Sequence, residues 1–182
     1  LVSFLSKRLT LYPGDVVIVP FGKAQEAQNG ADWAWAFQSA DRAHSQPMLV
    51  QAKRLDDRER RYDGIKRAIG KTKPPVRQID RLIDTAHRLG FPPVYAFYNH
   101  LDKSLRVPAD CGSLEMAGLP NMIESWGITL AAAEVVRAAL NDETFTTHRE
   151  HSRPLHCLLC SGGGGVKPPR GSAESASRGI RE

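Results

Sequence analysis

The sequence has 182 residues, 41% of them hydrophobic and 25% charged, which suits one ordinary core and is too short for two typical domains. That composition excludes collagenous, fully disordered and disulfide-scaffold proteins. The net charge of +5 favours a polyanionic partner such as nucleic acid, and three cysteines without a disulfide framework indicate a reducing compartment, the cytoplasm. No apolar stretch reaches the roughly 20 residues that cross a bilayer, so we expect no membrane partner.

The first third of the chain predicts one helix and three strands. Residues 1–9 carry an amphipathic helical pattern, and residues 16–19 are a β-branched run typical of a strand. Residues 22–30 are polar and turn-like. In the two segments that follow, 31–37 and 48–55, the residue type alternates from one position to the next, as in a strand with two different faces. We expect these strands to pair as a hairpin.

The alternation in this hairpin separates apolar from polar side chains. On the second strand, three aromatic residues share one face and are expected to be core rather than base-stacking groups: Trp33, Trp35 and Phe37. Asp32 lies on the other face of that strand. Gln51 and Lys53 share a face of the third strand, so hairpin pairing brings Asp32 towards them.

The middle and end of the chain predict helices around one further strand. Residues 58–69 can form a charged helix, and residues 76–89 form an amphipathic helix that Gly90 caps. Residues 94–98 read as a strand and 129–140 as a final packed helix. This β-α-β passage predicts an α/β fold, a mixed sheet flanked by helices.

The domain organisation follows from where the hydrophobic pattern stops. We expect one α/β domain over residues 1–140, then a linker and short docking segment over 141–160. Residues 161–182 contain glycine, serine, proline and charge with little apolar content, so we expect a disordered tail.

Asp32, Gln51 and Lys53 suit metal-assisted hydrolysis of a phosphodiester bond. A hard cation such as Mg²⁺ or Mn²⁺ binds a few oxygen ligands and waters, which Asp32, the Gln51 amide oxygen and the Ala52 carbonyl can supply. Lys53 can orient the attacking water and offset phosphate charge. An Asp beside a glycine turn and a Lys at a strand end are also common as plain surface residues.

Four ordered segments carry a family resemblance: Gly-Ala-Asp-Trp from residue 30, Val-Gln-Ala-Lys-Arg-Leu from 50, Gln-Ile-Asp-Arg-Leu-Ile from 78 and Pro-Val-Tyr-Ala-Phe-Tyr-Asn from 93. Together they resemble an uncharacterised bacterial family assigned to the PD-(D/E)XK, or restriction-endonuclease-like, nuclease superfamily. The variant is the one with Gln in the last motif. The similarity covers roughly Val16 to Leu140.

The resemblance implies roles for individual residues. Asp32 takes the place of the metal-binding Asp, Gln51 that of the variable acidic or amide ligand, and Lys53 that of the catalytic lysine. Such nucleases usually carry a further acidic residue on an upstream helix, for which Glu26 is a candidate. Gln78 is similar to a Gln of some exonuclease branches, but Leu82 stands where those have Tyr, so that branch does not fit.

A concentration of basic residues follows the third strand. We expect the following to contact nucleic acid, DNA in the first instance: Arg54, Arg58, Arg61, Lys66, Arg67, Lys71 and Lys73. The same pattern also suits a solvated helical face with intrahelical ion pairs.

Two alternative functions remain open at this point. One is a catalytically inactive nucleic-acid-binding or scaffold module of the same fold. The other is a zinc-stabilised interaction protein, because Cys157 and Cys160 have the spacing of half a zinc site and histidines lie nearby: His148, His151 and His156. A packed apolar segment explains these cysteines better.

Overall fold

A six-stranded mixed sheet is the centre of the fold in the computed structural model, which describes residues 16–38, 45–56, 58–69, 75–100 and 126–155. The strands are β1 (Val16–Pro20), β2 (Trp33–Gln38), β3 (Ser45–Arg54), β4 (Ala68–Ile69), β5 (Val76–Arg77), β6 (Pro93–Tyr98), β7 (Ile128–Ala132) and β8 (Arg153–Pro154). The helices are α1 (Lys23–Asn29), α2 (Gln78–Leu89), α3 (Ala133–Ala138) and α4 (Phe145–Glu150). The sheet order is β1-β2-β3-β6-β7-β8, and β4 pairs with β5 separately.

The predicted hairpin and β-α-β passage are both confirmed. β2 and β3 pair antiparallel, whereas β3 and β6 pair parallel with α2 between them in the chain. Such a parallel pair needs a crossover connection, which α2 supplies. Gly90 ends α2 in the left-handed conformation, at a φ of 71°, as the sequence predicted. The α/β mixed sheet flanked by helices is therefore present.

The two faces of the sheet bury different sets of side chains. One cluster contains Leu49, Phe97 and the apolar face of α2, while the other contains Trp33 and Trp35. The predicted burial of these two tryptophans is confirmed, since 5% and 1% of their surfaces are exposed. Neighbouring residues on a strand point to opposite faces, so Asp32, Gln51 and Lys53 share the face that carries α2.

Residues 22–30, predicted as a turn, instead contain the helix α1. The backbone N–H of Gly22 donates to Gln25 Oε1 at 3.0 Å at the start of this helix. Gly30 ends it with a φ of 76°, and its N–H donates to the carbonyl of Glu26. No residue of α1 is buried, so the apolar stripe that usually reveals a helix is missing from its sequence.

The charged helix predicted over residues 58–69 is wrong. Asp56 Oδ1 accepts from the backbone N–H of Arg58 at 2.9 Å and holds a turn there. The backbone of this segment then bonds to distant partners: Tyr62 N–H donates to the carbonyl of Glu143, and Phe145 N–H to that of Arg60. These tertiary hydrogen bonds replace the local ones that a helix would need.

The single helix predicted over residues 129–140 is wrong in its first part. That part is the strand β7, which pairs antiparallel with β6, and only α3 is helical. Pairing with a buried central strand outweighs the helix propensity of the alanines here. Further on, β8 pairs with β7 and Phe145 joins the core, inside the region predicted as linker and docking segment.

Several predictions concern residues outside the described ranges. These are the helix over 1–9, the disordered tail over 161–182, the basic residues Lys71 and Lys73, and the cysteines Cys157 and Cys160. Among the described helices, none combines the length and the apolar character that a membrane span requires.

Candidate functional site

The β2–β3 hairpin brings Asp32 directly against Gln51. Asp32 Oδ2 accepts two hydrogen bonds, from Gln51 Nε2 at 2.6 Å and from the Ala52 backbone N–H at 2.7 Å. The strands remain paired at this point, because Asp32 N–H donates to the Val50 carbonyl at 2.8 Å. Asp32 therefore occupies a fixed position beside the end of β3.

Gly30 lets the hairpin approach the first turns of α2. A Cβ atom at this position would lie 2.6 Å from both the Gln78 carbonyl oxygen and the Leu82 backbone nitrogen. Both neighbours are backbone atoms, so only glycine fits without a shift. This close approach places the Gln78 side chain next to Gln51 and Lys53 on β3.

Gln78 connects the remaining polar side chains. Its Oε1 accepts from Lys53 Nζ at 3.1 Å, and its Nε2 donates to Glu26 Oε1 at 3.1 Å and to Gln51 Oε1. We call the group of side chains joined in this way the site cluster: Glu26, Asp32, Gln51, Lys53 and Gln78. Its members come from α1, β3, α2 and the residue just before β2.

Most of the site cluster is withdrawn from solvent. Only 3% of Gln51, 8% of Lys53 and none of Gln78 is exposed. Burial raises the pKa of Asp32, and the nearby Glu26 carboxylate raises it further, against the lowering effect of the Ala52 hydrogen bond. Burial also lowers the pKa of Lys53, partly opposed by the charge of Asp32.

The cluster offers a small set of oxygen donors for a divalent cation. Asp32 and Glu26 supply two carboxylates, and the Ala52 carbonyl lies beside Asp32, with Gln51 Nε2 3.0 Å from it. In the ranges described, no three His, Cys, Asp or Glu side chains are grouped closely enough to hold an ion. Mg²⁺ commonly uses one or two carboxylates with waters and substrate phosphates, so the donors fit a carboxylate-poor site of that kind.

The basic residues expected to contact nucleic acid do not share one position, since Arg54 follows Lys53 on β3 and therefore lies on the opposite face of the sheet from the site cluster. Arg54 and Arg58 are exposed, and Arg67 lies at the edge of the cluster with its guanidinium 3.8 Å from Glu26. Arg61 pairs with Glu143 at 2.6 Å, and Lys66 donates to the Asn141 carbonyl at 3.2 Å. These last two also fasten the turn after β3 to the segment before α4.

Sequence reasoning did not count Gln78 as a site residue. In the sequence, Gln78 is similar only to a Gln of an exonuclease branch that Leu82 excludes. The available signal was its position, one helical turn before Leu82 on the buried stripe of α2. A buried glutamine at the start of such a stripe must find hydrogen-bond partners, and here the partners are Lys53, Gln51 and Glu26.

One of the three histidines proposed to complete a zinc site, His148, is part of the core. His148 is buried, its ring stacks on Phe97 with centroids 5.3 Å apart, and its Nε2 donates to the Asp142 carbonyl at 2.8 Å. The His148 ring therefore packs in the core, and its Nε2 is engaged in a hydrogen bond. His151 is exposed at the end of α4, and the cysteines lie outside the described residues.

Fold and cluster together define an α/β domain with a mixed sheet and a charged, partly buried site where β3 meets α2. The chain belongs to a family described as one of unknown function (DUF6615), whose sequence pattern matches residues 3–181. No curated protein matches it.

Proposed function

We propose that this chain is a Mg²⁺-dependent or Mn²⁺-dependent nuclease that hydrolyses phosphodiester bonds, with DNA as the substrate. The observation that carries this proposal is the site cluster itself, in which Gln78 and Gln51 connect the buried Lys53 ammonium to two carboxylates. Buried lysines are rare, because withdrawing the ammonium from water costs free energy unless the charge is paired and hydrogen-bonded. The resemblance to PD-(D/E)XK nucleases points to the same residues.

Asp32 is the main cation ligand in this proposal, with the Ala52 carbonyl beside it, Glu26 as the second carboxylate and the Gln51 amide oxygen as a further ligand once that amide rotates. The raised pKa of Asp32 favours this role, because a cation supplies the positive charge that its buried carboxylate lacks. A bound Mg²⁺ would supply Lewis-acid stabilisation of the phosphate.

Lys53 acts on the attacking water and on the phosphate. Its lowered pKa brings the neutral amine closer to physiological pH, where it can take a proton from the water as the oxygen–phosphorus bond forms and the ester bond breaks. In its charged form the same group offsets charge on the phosphate oxygens. Arg67, which is exposed at the edge of the site cluster, offers positive charge for the DNA backbone.

The proposal is tested by plasmid nicking with Mg²⁺ and with a chelator in its place. Asp32→Ala and Lys53→Ala should each lower the rate of Mg²⁺-dependent nicking by at least about 10²-fold while circular dichroism shows an intact fold. Asp84→Ala and Lys23→Ala are the matched controls, because both residues are exposed on helices and outside the site cluster. Both should nick at the wild-type rate.

The catalytically inactive module is the second candidate, favoured by the exposed Arg67 at the edge of a site poor in carboxylates. If the wild type binds DNA without cutting it, and Asp32→Ala binds equally well, the nuclease proposal fails and the binding module stands. We place either activity in the cytoplasm, on the grounds of the three cysteines without a disulfide framework.

A further inference from the structure

The hydrogen bonds of the site cluster form one chain whose direction is fixed at both ends. The Lys53 ammonium can only donate, so Gln78 must present its oxygen to it. The nitrogen of Gln78 then donates to Glu26 and to the oxygen of Gln51. At the other end the Asp32 carboxylate can only accept, and Gln51 presents its nitrogen there.

This direction turns the oxygen of Gln51 away from the cation position. Oε1 of Gln51 faces Gln78, and Nε2 lies 2.6 Å from Asp32 Oδ2. To bind a cation at Asp32, Gln51 must rotate its carboxamide and exchange the two atoms. Its N–H would then face the N–H of Gln78, and two donors cannot bond to each other.

Gln78 cannot resolve this conflict by rotating alone. A rotated Gln78 would accept from Gln51, but it would direct its own N–H at the Lys53 ammonium and its oxygen at the Glu26 carboxylate. Gln78 is fully buried, so water cannot replace the lost partners. The orientation of Gln51 is therefore tied to the hydrogen bonds that Gln78 makes with Lys53 and Glu26.

We propose that Gln78 is a positioning residue that couples Gln51 to Lys53: Gln51 turns its oxygen to a divalent cation at Asp32 only as Lys53 leaves Gln78. This inference deepens the proposed function and rests on it. The arrival of the cation then frees the Lys53 ammonium for a phosphate. Because such coupling is reciprocal, a phosphate held by Lys53 also strengthens cation binding.

The coupling is tested with Mn²⁺ as the probe, its affinity measured by electron paramagnetic resonance on four proteins: wild type, Lys53→Met, Gln78→Met and the double variant. Lys53→Met should tighten binding in two ways, by removing a positive charge and by releasing Gln78. The effect of removing the charge is the same whether residue 78 is Gln or Met, so it cancels in this double-mutant cycle. The double variant should therefore fall short of the product of the single effects by at least about threefold.

Gln28→Met provides the control cycle, because Gln28 is exposed on α1 and outside the site cluster. Its effect should combine with that of Lys53→Met without a shortfall. Multiplicative effects in the Gln78 cycle, with Mn²⁺ binding still lost in Asp32→Ala, contradict the coupling and leave the cation site standing. A wild type that binds no Mn²⁺ contradicts the proposed function and the coupling together.

A measurement on the wild type covers the case in which Gln78→Met does not fold. Labelling only glutamine with ¹⁵N gives side-chain amide signals for the six glutamines of the sequence. On titration with Mg²⁺, the signals of Gln51 and Gln78 should shift together with one midpoint. A shift of Gln51 alone overturns the coupling, because Gln51 would then rotate independently of Gln78.

Discussion

Two clusters of buried polar side chains lie on the same face of the sheet, and they differ in how their hydrogen bonds are completed. The site cluster joins a lysine and two carboxylates through neutral amides. The second group, which we call the Asn99 cluster, contains only neutral side chains: Tyr62, Asn99, Thr129 and His148. Phe97 lies between them, paired in register with Lys53 and packed on Tyr62.

The Asn99 cluster is closed within the protein. Asn99 Oδ1 accepts from the Tyr62 hydroxyl at 2.6 Å, and Asn99 Nδ2 donates to the Trp126 carbonyl at 2.8 Å and to Thr129 Oγ1 at 3.2 Å. These bonds hold β6, β7 and the turn after β3 together. Burial of polar groups alone does not identify a functional site, whereas a lysine and carboxylates withdrawn from water and bridged by neutral amides mark a candidate one.

The largest effect on stability is expected from Asn99→Leu, which breaks the Asn99 cluster. The change leaves the Tyr62 hydroxyl, the Trp126 carbonyl and Thr129 without this partner inside the core. It should lower the free energy of unfolding by about 3 kcal/mol, measured by urea denaturation. A decrease of less than about 1 kcal/mol in the free energy of unfolding would mean that water reaches the Asn99 cluster. The Asn99 cluster would then not be closed within the protein, and the difference between the two clusters would be smaller.

A smaller loss is expected from Gly30→Ala, which alters the approach that assembles the site cluster. Gly90→Ala is the matched control, because Gly90 has a similar positive φ of 71° but no atom within 4 Å of an added Cβ. We expect Gly90→Ala to cost about 1 kcal/mol from backbone strain and Gly30→Ala about 2 kcal/mol, by thermal denaturation. Equal losses would show that the contact with α2 relaxes freely.

Much of this arrangement could be predicted from the sequence, because it depends on strand periodicity. The alternation in β2 and β3 predicts which face carries Asp32, Gln51 and Lys53, and the structure places the first two in hydrogen-bond contact. The stripe of α2 and the cap at Gly90 are equally local signals.

The rest depends on contacts between distant segments. Glu26 reaches the site cluster through α1, a helix with no buried residue and hence no apolar stripe in its sequence. The turn after β3 takes its shape from hydrogen bonds to residues 143–145, more than eighty residues later. The sequence relates Gln78 only to an exonuclease branch that Leu82 excludes, whereas its contact with Lys53 depends on the close approach of Gly30 to α2.

A loss of about 1 kcal/mol is expected from acidification, through His148. Burial lowers the pKa of this histidine in the folded state, against the opposing charges of Asp142 and Glu143. The unfolded chain therefore takes up the proton first, and stability falls as the pH drops below the unfolded value of about 6.5. Between pH 7.5 and 5.5 the free energy of unfolding should fall by about 1 kcal/mol from this residue.

The check is urea denaturation at both pH values, with His148→Phe as the comparison. Phenylalanine keeps the stacking on Phe97 and cannot take up a proton, so that this part of the pH dependence should disappear. If the variant retains the full dependence, another group titrates and His148 is not the source.

The smallest effect on stability is expected where the site cluster is changed at its acidic end, by Asp32→Asn. Burial and the neighbouring Glu26 raise the pKa of Asp32 in the folded state, so its ionised form costs stability that grows as the pH rises through that pKa. In the wild type, Gln51 Nε2 and the Ala52 N–H both donate to the same oxygen, Asp32 Oδ2. Asparagine removes the charge, and its Oδ1 can still accept both hydrogen bonds. With a chelator present at pH 7, the free energy of unfolding should therefore equal that of the wild type or exceed it by up to about 1 kcal/mol, while Mg²⁺-dependent cleavage is lost. A decrease of more than about 2 kcal/mol in the free energy of unfolding would show that Asp32 stabilises the fold, as the residues of the Asn99 cluster do. Its main role would then be structural rather than the binding of a cation.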